Sequence, residues 1–398
     1  MTPPLPLDEA QRRLLALAHP LGSEDVPVER ALGRYLAAEL EALRTHPAAD
    51  LSAMDGYAVA GDGPWQVVGE SAAGRPFADA ITAGQAVRIS TGALMPRGGE
   101  AVLLQEETVR DGDGLTVAPG GESSPRHVRR RGFDFAAGDV LLEQGVRLGP
   151  AQLALALAGG HAGRAIAVGR LPRLAVIDSG DELAASAERW DDDRLPASNG
   201  AMISAMAAPL AGAIDLLGPV PDRLAALAEA LGRAEAADVI VTSGGASVGD
   251  HDLVRPALEA WGATIDFWRV AMKPGKPMLL ARRGAQWILG LPGNPVSSYV
   301  TALLFLLPLL RRLAGASDCR PHVTVARARS ALPAGGSRLE LVRARLDRGE
   351  VAPLDQQDSS ALRALATANA LIVRPISAPP VAHGDEVAVI PLDYGGIA

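Results

Sequence analysis

The 398-residue chain is 48% apolar and 21% charged, a globular composition with room for two to four domains. Its formal net charge of -8 argues against a general nucleic-acid binder, which would present a basic face, but leaves room for a local basic pocket. The single cysteine, Cys319, rules out an internal disulfide framework and fits a reducing cytoplasm.

In chain order, Leu5–Leu17 carries apolar residues at helical spacing. The segment 1–18 contains Asp8 and Glu9 and no long apolar run, so it does not read as a signal peptide. Val28–Ala42 reads as a second helix. Between Pro47 and Arg131 the short apolar runs Trp65–Val68, Ala86–Ile89, Ala101–Leu104 and Gly114–Val117 alternate with Gly, Pro and Asp clusters, the pattern of a small β-domain. Leu148–Ala158 returns to helix.

From Arg173 strands and helices alternate. The strands are Leu174–Ile177, Ala213–Leu217, Val239–Val241, Thr264–Trp268 and Trp287–Leu289. The helices are Ala201–Ala211, Asp222–Gly232, Val254–Trp261 and Pro295 to about Arg312. This alternation predicts βαβ units and a largely parallel sheet. The apolar stretch Val300–Leu310 is shorter than the ~20 residues a bilayer span needs, so it reads as a buried core helix of a soluble protein with no membrane partner. After Pro321 strand-like runs dominate, at His322–Ala328, Arg338–Leu346, Ala370–Val373 and Glu386–Ile390, predicting a second small β-domain.

Only Lys273 and Lys276 among the 38 Lys and Arg residues are lysines. Both lie in Met272-Lys-Pro-Gly-Lys-Pro277, where prolines and a glycine stiffen the backbone. Ammonium is a compact, strongly hydrated point charge and guanidinium a planar fork. Two ammoniums on a rigid turn suit a tetrahedral anion; the simpler alternative is a surface turn.

Glycine-rich polar loops follow successive strands: Asp178-Ser-Gly-Asp-Glu-Leu183, Thr242-Ser-Gly-Gly-Ala-Ser-Val-Gly-Asp-His-Asp252 and Leu291-Pro-Gly-Asn-Pro-Val-Ser-Ser298. Ligands of open parallel sheets bind where such loops converge, and glycines let backbone N–H groups approach a phosphate. The last loop opens a helix whose N-terminus favours an anion. Carboxylates Glu182, Asp250 and Asp252 on these loops suit a Mg²⁺ ion beside phosphate. Asp222, taken alone, reads as a helix N-cap. No zinc-type Cys/His cluster, P-loop or Gly-x-Ser-x-Gly elbow is present in the sequence, which removes the common NTPase and hydrolase readings.

Together with Ser52-Ala-Met-Asp-Gly-Tyr-Ala-Val59, Ile89-Ser-Thr-Gly-Ala93 and Arg129-Arg-Arg-Gly132 with Asp134, these motifs resemble the molybdopterin molybdenumtransferase family, MoeA and the gephyrin E domain. The resemblance spans nearly the whole chain. It implies a multidomain fold of α/β and β type. An elongated discontinuous helical/β domain would hold 24–46 and 138–170, an inserted β-domain 47–137, a molybdopterin-binding α/β domain 1–23 and 171–313, and a C-terminal β-barrel-like domain 314–398. It further implies a cytoplasmic homodimer whose site joins one subunit's α/β domain to the other's inserted domain. Molybdopterin adenylyltransferase and molybdoenzyme or cofactor-carrier proteins would be its partners.

The implied reaction takes adenylylated molybdopterin and molybdate to molybdenum cofactor and AMP, with Mg²⁺. The implied catalytic set is Asp55, Thr91, Asp134, Glu182 and Asp222. Molybdate would be held by Lys273, Lys276, Pro292, Pro295, Ser297, Arg343 and Ser359. Pterin or nucleotide would contact Ser179, Gly180, Asp181, Ser243, Gly244, Gly245, Ser247, Gly249, Gly293 and Asn294, and the metal Glu182 and Asp252. The chain departs from the family pattern in three places. Asp178 stands where the family has Ser, Ala197-Ser-Asn199 replaces Asp-[Ser/Thr]-Asn, and Asp358-Ser359 replaces Gly-Ser, placing a negative charge beside the implied molybdate. Three alternatives stand beside this reading: an adenylyltransferase acting one step earlier on the same pterin, a non-catalytic scaffold of the gephyrin type, and a generic nucleotide-sugar enzyme with an unrelated site.

Overall fold

The computed structural model describes residues 4–119, 127–184, 194–244 and 253–392, except the side chains at 267 and 268. Gly245, Ser247, Gly249, Asp250 and Asp252 lie outside the described residues.

The centre is a six-stranded sheet in the order Ala213–Val220, Arg173–Ser179, Val239–Ser243, Gln286–Leu291, Pro277–Arg283, Thr264–Arg269. The first four strands run parallel and the last two join antiparallel. The middle strands are apolar without interruption, with Leu174, Ala175, Val176 and Ile177 all buried, as expected of strands covered on both faces. Helices Leu7–Leu17, Asn199–Ala207 and Pro295–Leu313 pack on one face through Leu14, Ile203, Val300 and Leu307. Helices Leu224–Arg233 and Val254–Ala260 cover the other through Leu227, Leu231 and Leu258.

The apolar helix forms where the sequence places it, and extends beyond the apolar stretch Val300–Leu310. It runs 19 residues, Pro295–Leu313, with a π-turn over Ala302–Leu306, long enough to span a bilayer by length and composition alone. Of its most apolar window 83% is buried inside the protein, so its hydrophobicity is used against the sheet and neighbouring helices.

The expected helix over Val28–Ala42 is not formed. A 3₁₀ turn covers only Val28–Arg30, Gly33 takes φ +81°, and Tyr35 and Leu36 form bridges to Arg147 and Val168. The apolar spacing there serves a different partner, since Val28, Ala31, Leu36 and Leu40 pack on Leu148, Ile166 and Val168 from a distant segment. Tertiary contacts override local periodicity. Ser23–Pro27 pairs with Ala165–Gly169 and Leu40–Glu41 with Val140–Leu142, so this unit is assembled from two chain segments. Between them, six strands from Gly56 to Val117 form the inserted sheet.

Near the C-terminus, Thr324–Ala328, Leu339–Asp347, Glu350–Pro353, Ala370–Arg374 and Glu386–Pro391 close into a barrel, because Leu339–Asp347 pairs with both Glu350–Pro353 and Ala370–Arg374. Closure removes free strand edges. One further strand joins this barrel from the α/β domain. Met272–Lys273 runs parallel to Leu339–Glu340, while Pro277–Arg283 belongs to the central sheet. The Lys-Pro-Gly-Lys segment is therefore a bridge between two domains, not a surface hairpin.

Candidate functional site

Two cavities of about 600 Å³ each meet at this bridge. The first is lined by Lys273, Lys276, Val296, Ser297, Arg338, Glu340, Arg343, Asp358 and Ser359, among others. The second opens at the carboxyl ends of three adjacent parallel strands, with Asp178 and Ser179, Ser243 and Gly244, and Pro292 to Pro295 in its wall. Pro277 lines both, and adjacent residues divide between them: Pro295 and Val296, Ser359 and Ser360. A ligand bound across strand ends would thus lie beside Pro277, which separates it from the lysine cavity.

The lysine cavity is built by the bridge itself. Gly275 has φ +98°, and a Cβ there would stand 2.6 Å from Met272 Cε and 2.7 Å from Thr301 Oγ1, so the turn accepts only glycine. Lys273 Nζ pairs with Glu340 Oε1 at 3.4 Å. Among the described residues no carboxylate pairs with Lys276, which leaves its ammonium available to an anion. Ser297 is buried in the same wall.

Arg343 is the largest fully buried side chain among the described residues, and its guanidinium is already engaged. Nη2 donates to the carbonyls of Gln356 and Asp358 at 3.0 and 2.9 Å, and Nη1 to Ala361 at 3.5 Å. Burial holds its pKa below the ordinary arginine value. It lines the cavity as the strut of the 356–361 loop more than as a planar fork turned to an anion. That loop carries Ser359, whose Oγ accepts from Asn294 Nδ2 at 3.1 Å and whose carbonyl accepts from Val296 N at 3.1 Å. One N–H of the helix start is thereby taken by protein. The Asp358 carboxylate accepts from Ser360 N and Oγ, which hold its pKa down with further help from Arg343.

At the strand-end cavity, Asp178 is buried and its carboxyl is pushed up chiefly by that burial, against the pull of the Gly200 N–H and the nearby Ser243 hydroxyl. Gly200 N donates to Asp178 Oδ2 at 2.8 Å, and a Cβ at Gly200 would approach that oxygen to 2.5 Å. The helix opened by Ala197-Ser-Asn199 thus receives from Asp178 the carboxylate that residue 197 lacks. Asn199 Nδ2 donates to Gly293 O at 2.6 Å, tying the helix start to the Pro-Gly-Asn loop.

Asp222, Glu182 and Asp181 approach one another at the cavity rim. Asp222 is no N-cap: its N–H donates to Asp181 Oδ1 at 3.1 Å, and the helix begins at Leu224 behind Arg223. Burial raises the Asp222 carboxyl, and the charges of Asp181 and Glu182 raise it further. Among the described residues no three His, Cys, Asp or Glu side chains assemble as a metal site. The other expected ligand, Asp252, is outside the described residues.

Asp55, Thr91 and Asp134 lie elsewhere in the chain. Thr91 N donates to Asp55 Oδ1 at 2.7 Å, which holds that exposed carboxyl below its ordinary value. Asp134 is exposed, with its N–H on His46 O. Neither cavity is lined by any residue of 47–137. Close to these residues in the chain, Met54, Leu94 and Phe133 are exposed, Phe133 by 74%. Sequence reasoning did not single out Glu340 or Asn199 as site residues, and it treated Asp178 only as a departure. For Glu340 the signal was absent, because its role follows from a strand pairing between residues 67 apart.

Residues 5–160 match the MoeA N-terminal region (domain I and II), 175–312 the probable molybdopterin binding domain and 325–392 the MoeA C-terminal region (domain IV). The chain is 33% identical to the molybdopterin molybdenumtransferase of Haemophilus influenzae, over 98% of this chain and 99% of that one. It is 34% identical to molybdopterin molybdenumtransferase 2 of Mycobacterium tuberculosis, over 96% and 98%. A solved MoeA protein of molybdopterin biosynthesis from Pyrococcus horikoshii superposes with TM-score 0.77 at 27% identity, covering 98% of this chain and all of that one. With three family regions matched in order and relatives above 30% identity along their full length, this chain belongs to the MoeA family of molybdopterin molybdenumtransferases.

Proposed function

We propose that the protein is a molybdenum insertase, which transfers molybdate to adenylylated molybdopterin and gives molybdenum cofactor and AMP. The observation that carries this reading is the junction of two cavities at Pro277, one with the chain's only two lysines and one at the strand ends. Molybdate is a compact tetrahedral dianion. Lys276 offers an ammonium with no carboxylate partner among the described residues, Ser297 a hydroxyl, and the Arg343-braced loop the Ser359 hydroxyl. Charge-assisted contacts of this kind give both attraction and orientation.

The pterin and its nucleotide would occupy the strand-end cavity beside Ser179, Ser243, Gly293 and Asn294, with the dithiolene end turned to the lysines. The donor set of Glu182 and Asp222, joined by Asp252, is all oxygen and suits a hard cation such as Mg²⁺. Burial first, and then the charges of Asp181 and Glu182, raise the Asp222 carboxyl there. When bound, such a cation would neutralise the phosphoanhydride oxygens. Asp181 Oδ1 would keep Asp222 in place by accepting the Asp222 backbone N–H.

Asp55, Thr91 and Asp134 would act across a homodimer interface, on the site of the partner subunit. Their separation from both cavities in one chain, and the exposed apolar Met54, Leu94 and Phe133 close to them in the sequence, support that reading. A cytoplasmic setting, a molybdopterin adenylyltransferase as supplier and molybdoenzymes or cofactor carriers as recipients complete the proposal. Supplying adenylylated molybdopterin with Mg²⁺, with and without molybdate, tests it. Molybdate-dependent AMP release without ATP consumption is the expected result. ATP-dependent adenylylation would favour the earlier-step alternative, and no turnover of either kind would favour the scaffold.

A further inference from the structure

The strand-end cavity leaves a specific set of polar atoms unsatisfied. Asp178 Oδ1, Ser179 Oγ, Asn199 Oδ1 and Ser243 Oγ are all buried and none makes a well-formed hydrogen bond, although the Ser243 hydroxyl lies near enough to Asp178 to draw its carboxyl down; all four residues line this cavity. Buried polar groups are otherwise almost always paired, so four orphans in one wall point to a polar ligand. Their chemistry restricts what that ligand presents. Asn199 has its amide nitrogen committed to Gly293 O, which fixes its free Oδ1 as an acceptor. Asp178 has Oδ2 committed to the Gly200 N–H, so its free Oδ1 is a second acceptor and a charged one. The two serines can donate or accept. A wall with two fixed acceptors, one of them anionic, matches a ligand edge made of donors.

We infer that Asp178 and Asn199 recognise the amidine-like edge of a 2-amino-4-oxopyrimidine ring, its ring N–H and exocyclic NH₂, and so set the pterin's orientation in the strand-end cavity. The inference rests on the proposed function for the nature of the substrate and adds which end of it lies where. With the heterocycle's donor edge at Asp178, the rest of the ligand extends toward Pro277 and the lysines. Phosphate is excluded from this wall, because a buried carboxylate repels it; phosphate belongs at the Gly293 and Asn294 end of the cavity. A purely structural role, as an acceptor for the first turn of the helix Asn199–Ala207, would use Oδ2 and leave Oδ1 idle.

The test compares the phosphate monoester of 6-hydroxymethylpterin with its 2-oxo analogue, in which an acceptor replaces the amino group, by fluorescence titration of the full-length protein. Wild type should bind the pterin about tenfold to a hundredfold more tightly than the analogue. Asp178→Asn, which keeps an acceptor for Gly200, should cut that preference to less than about threefold by weakening the pterin alone, with the thermal transition retained. Equal wild-type affinity for both compounds, or no binding of either, would overturn the inference. So would an equal loss for both in the variant, the signature of a merely structural role. If Asp178→Asn fails to fold, the wild-type ratio and the same titration of Asp178→Ser decide. Molybdate-dependent AMP release by wild type, run in parallel, separates the two readings. Release with no pterin preference sinks only the orientation; absent release sinks the function itself.

Discussion

Lys273 and Glu340 face each other across a two-residue parallel ladder that ties the α/β domain to the C-terminal barrel, and their side chains pair at 3.4 Å. The pairing makes the two lysines unequal. Lys273 shares its charge with a carboxylate in the cavity wall, whereas Lys276 meets no carboxylate among the described residues. Glu340 therefore moderates the field that an entering dianion feels.

Replacing that carboxylate should strengthen anion capture. The pair is partly exposed, at 60% and 26%, and such pairs are worth at most about 1 kcal/mol. Glu340→Gln should accordingly lower the KM for molybdate by no more than about fivefold, with kcat little changed. Steady-state AMP release against molybdate concentration measures it. A raised KM would mean that Glu340 orients Lys273 productively and does not compete with the anion.

Arg343 should behave as a brace. Arg343→Ala leaves the carbonyls of Gln356, Asp358 and Ala361 without their donor, a loss on the order of 2–4 kcal/mol. Arg343→Lys keeps the charge but lacks the fork that reaches several carbonyls at once. Urea unfolding should show the lysine variant nearly as destabilised as the alanine one, and both should bind molybdate more weakly because Ser359 is displaced. Full stability and affinity in Arg343→Lys would show that charge alone is what the position supplies.

The Asp178 carboxyl is raised in the folded state, so its contribution to stability is fully present below the unfolded aspartate value of about 3.9 and is lost as pH rises through the higher folded value. At neutral pH the ionised group is a liability. Asp178→Asn should melt higher than wild type at pH 7, by on the order of 1 kcal/mol, and the gain should vanish as pH falls toward 4. Calorimetry across that range reads the difference. A variant less stable at pH 7 would show that ionised Asp178 supports the helix it touches.

Two cavities and a distant carboxylate set predict complementation. Asp55→Ala and Lys276→Ala should each be nearly inactive, yet chains randomly mixed into dimers should recover about a quarter of wild-type turnover, since half the dimers pair the two variants and each of those rebuilds one of its two sites. No recovery after confirmed subunit exchange would place Asp55 and Lys276 in the same subunit's site.

Much of this architecture was legible because its physics is local. The alternation from Leu174 to Arg312 reports a parallel sheet through burial of whole strands, and the glycine loops mark their carboxyl ends. The segment Val28–Ala42 was misleading because its apolar spacing is satisfied by residues more than a hundred positions away, at Leu148 and Val168. The Lys-Pro-Gly-Lys segment shows its chemistry in sequence but not its position. That it crosses between two sheets depends on the pairing of Met272 with Leu339, which no local pattern encodes. Likewise Asp178 reads as an intrusive charge until Gly200 and Ala197 are seen beside it.

The central claim is that Lys276 holds molybdate next to the strand-end cavity. Equilibrium dialysis of radiolabelled molybdate against wild type and Lys276→Ala tests it without turnover. Removing one charge-assisted contact should weaken binding about tenfold to a hundredfold, while pterin binding is unchanged. Equal molybdate affinity in the two proteins would contradict the account.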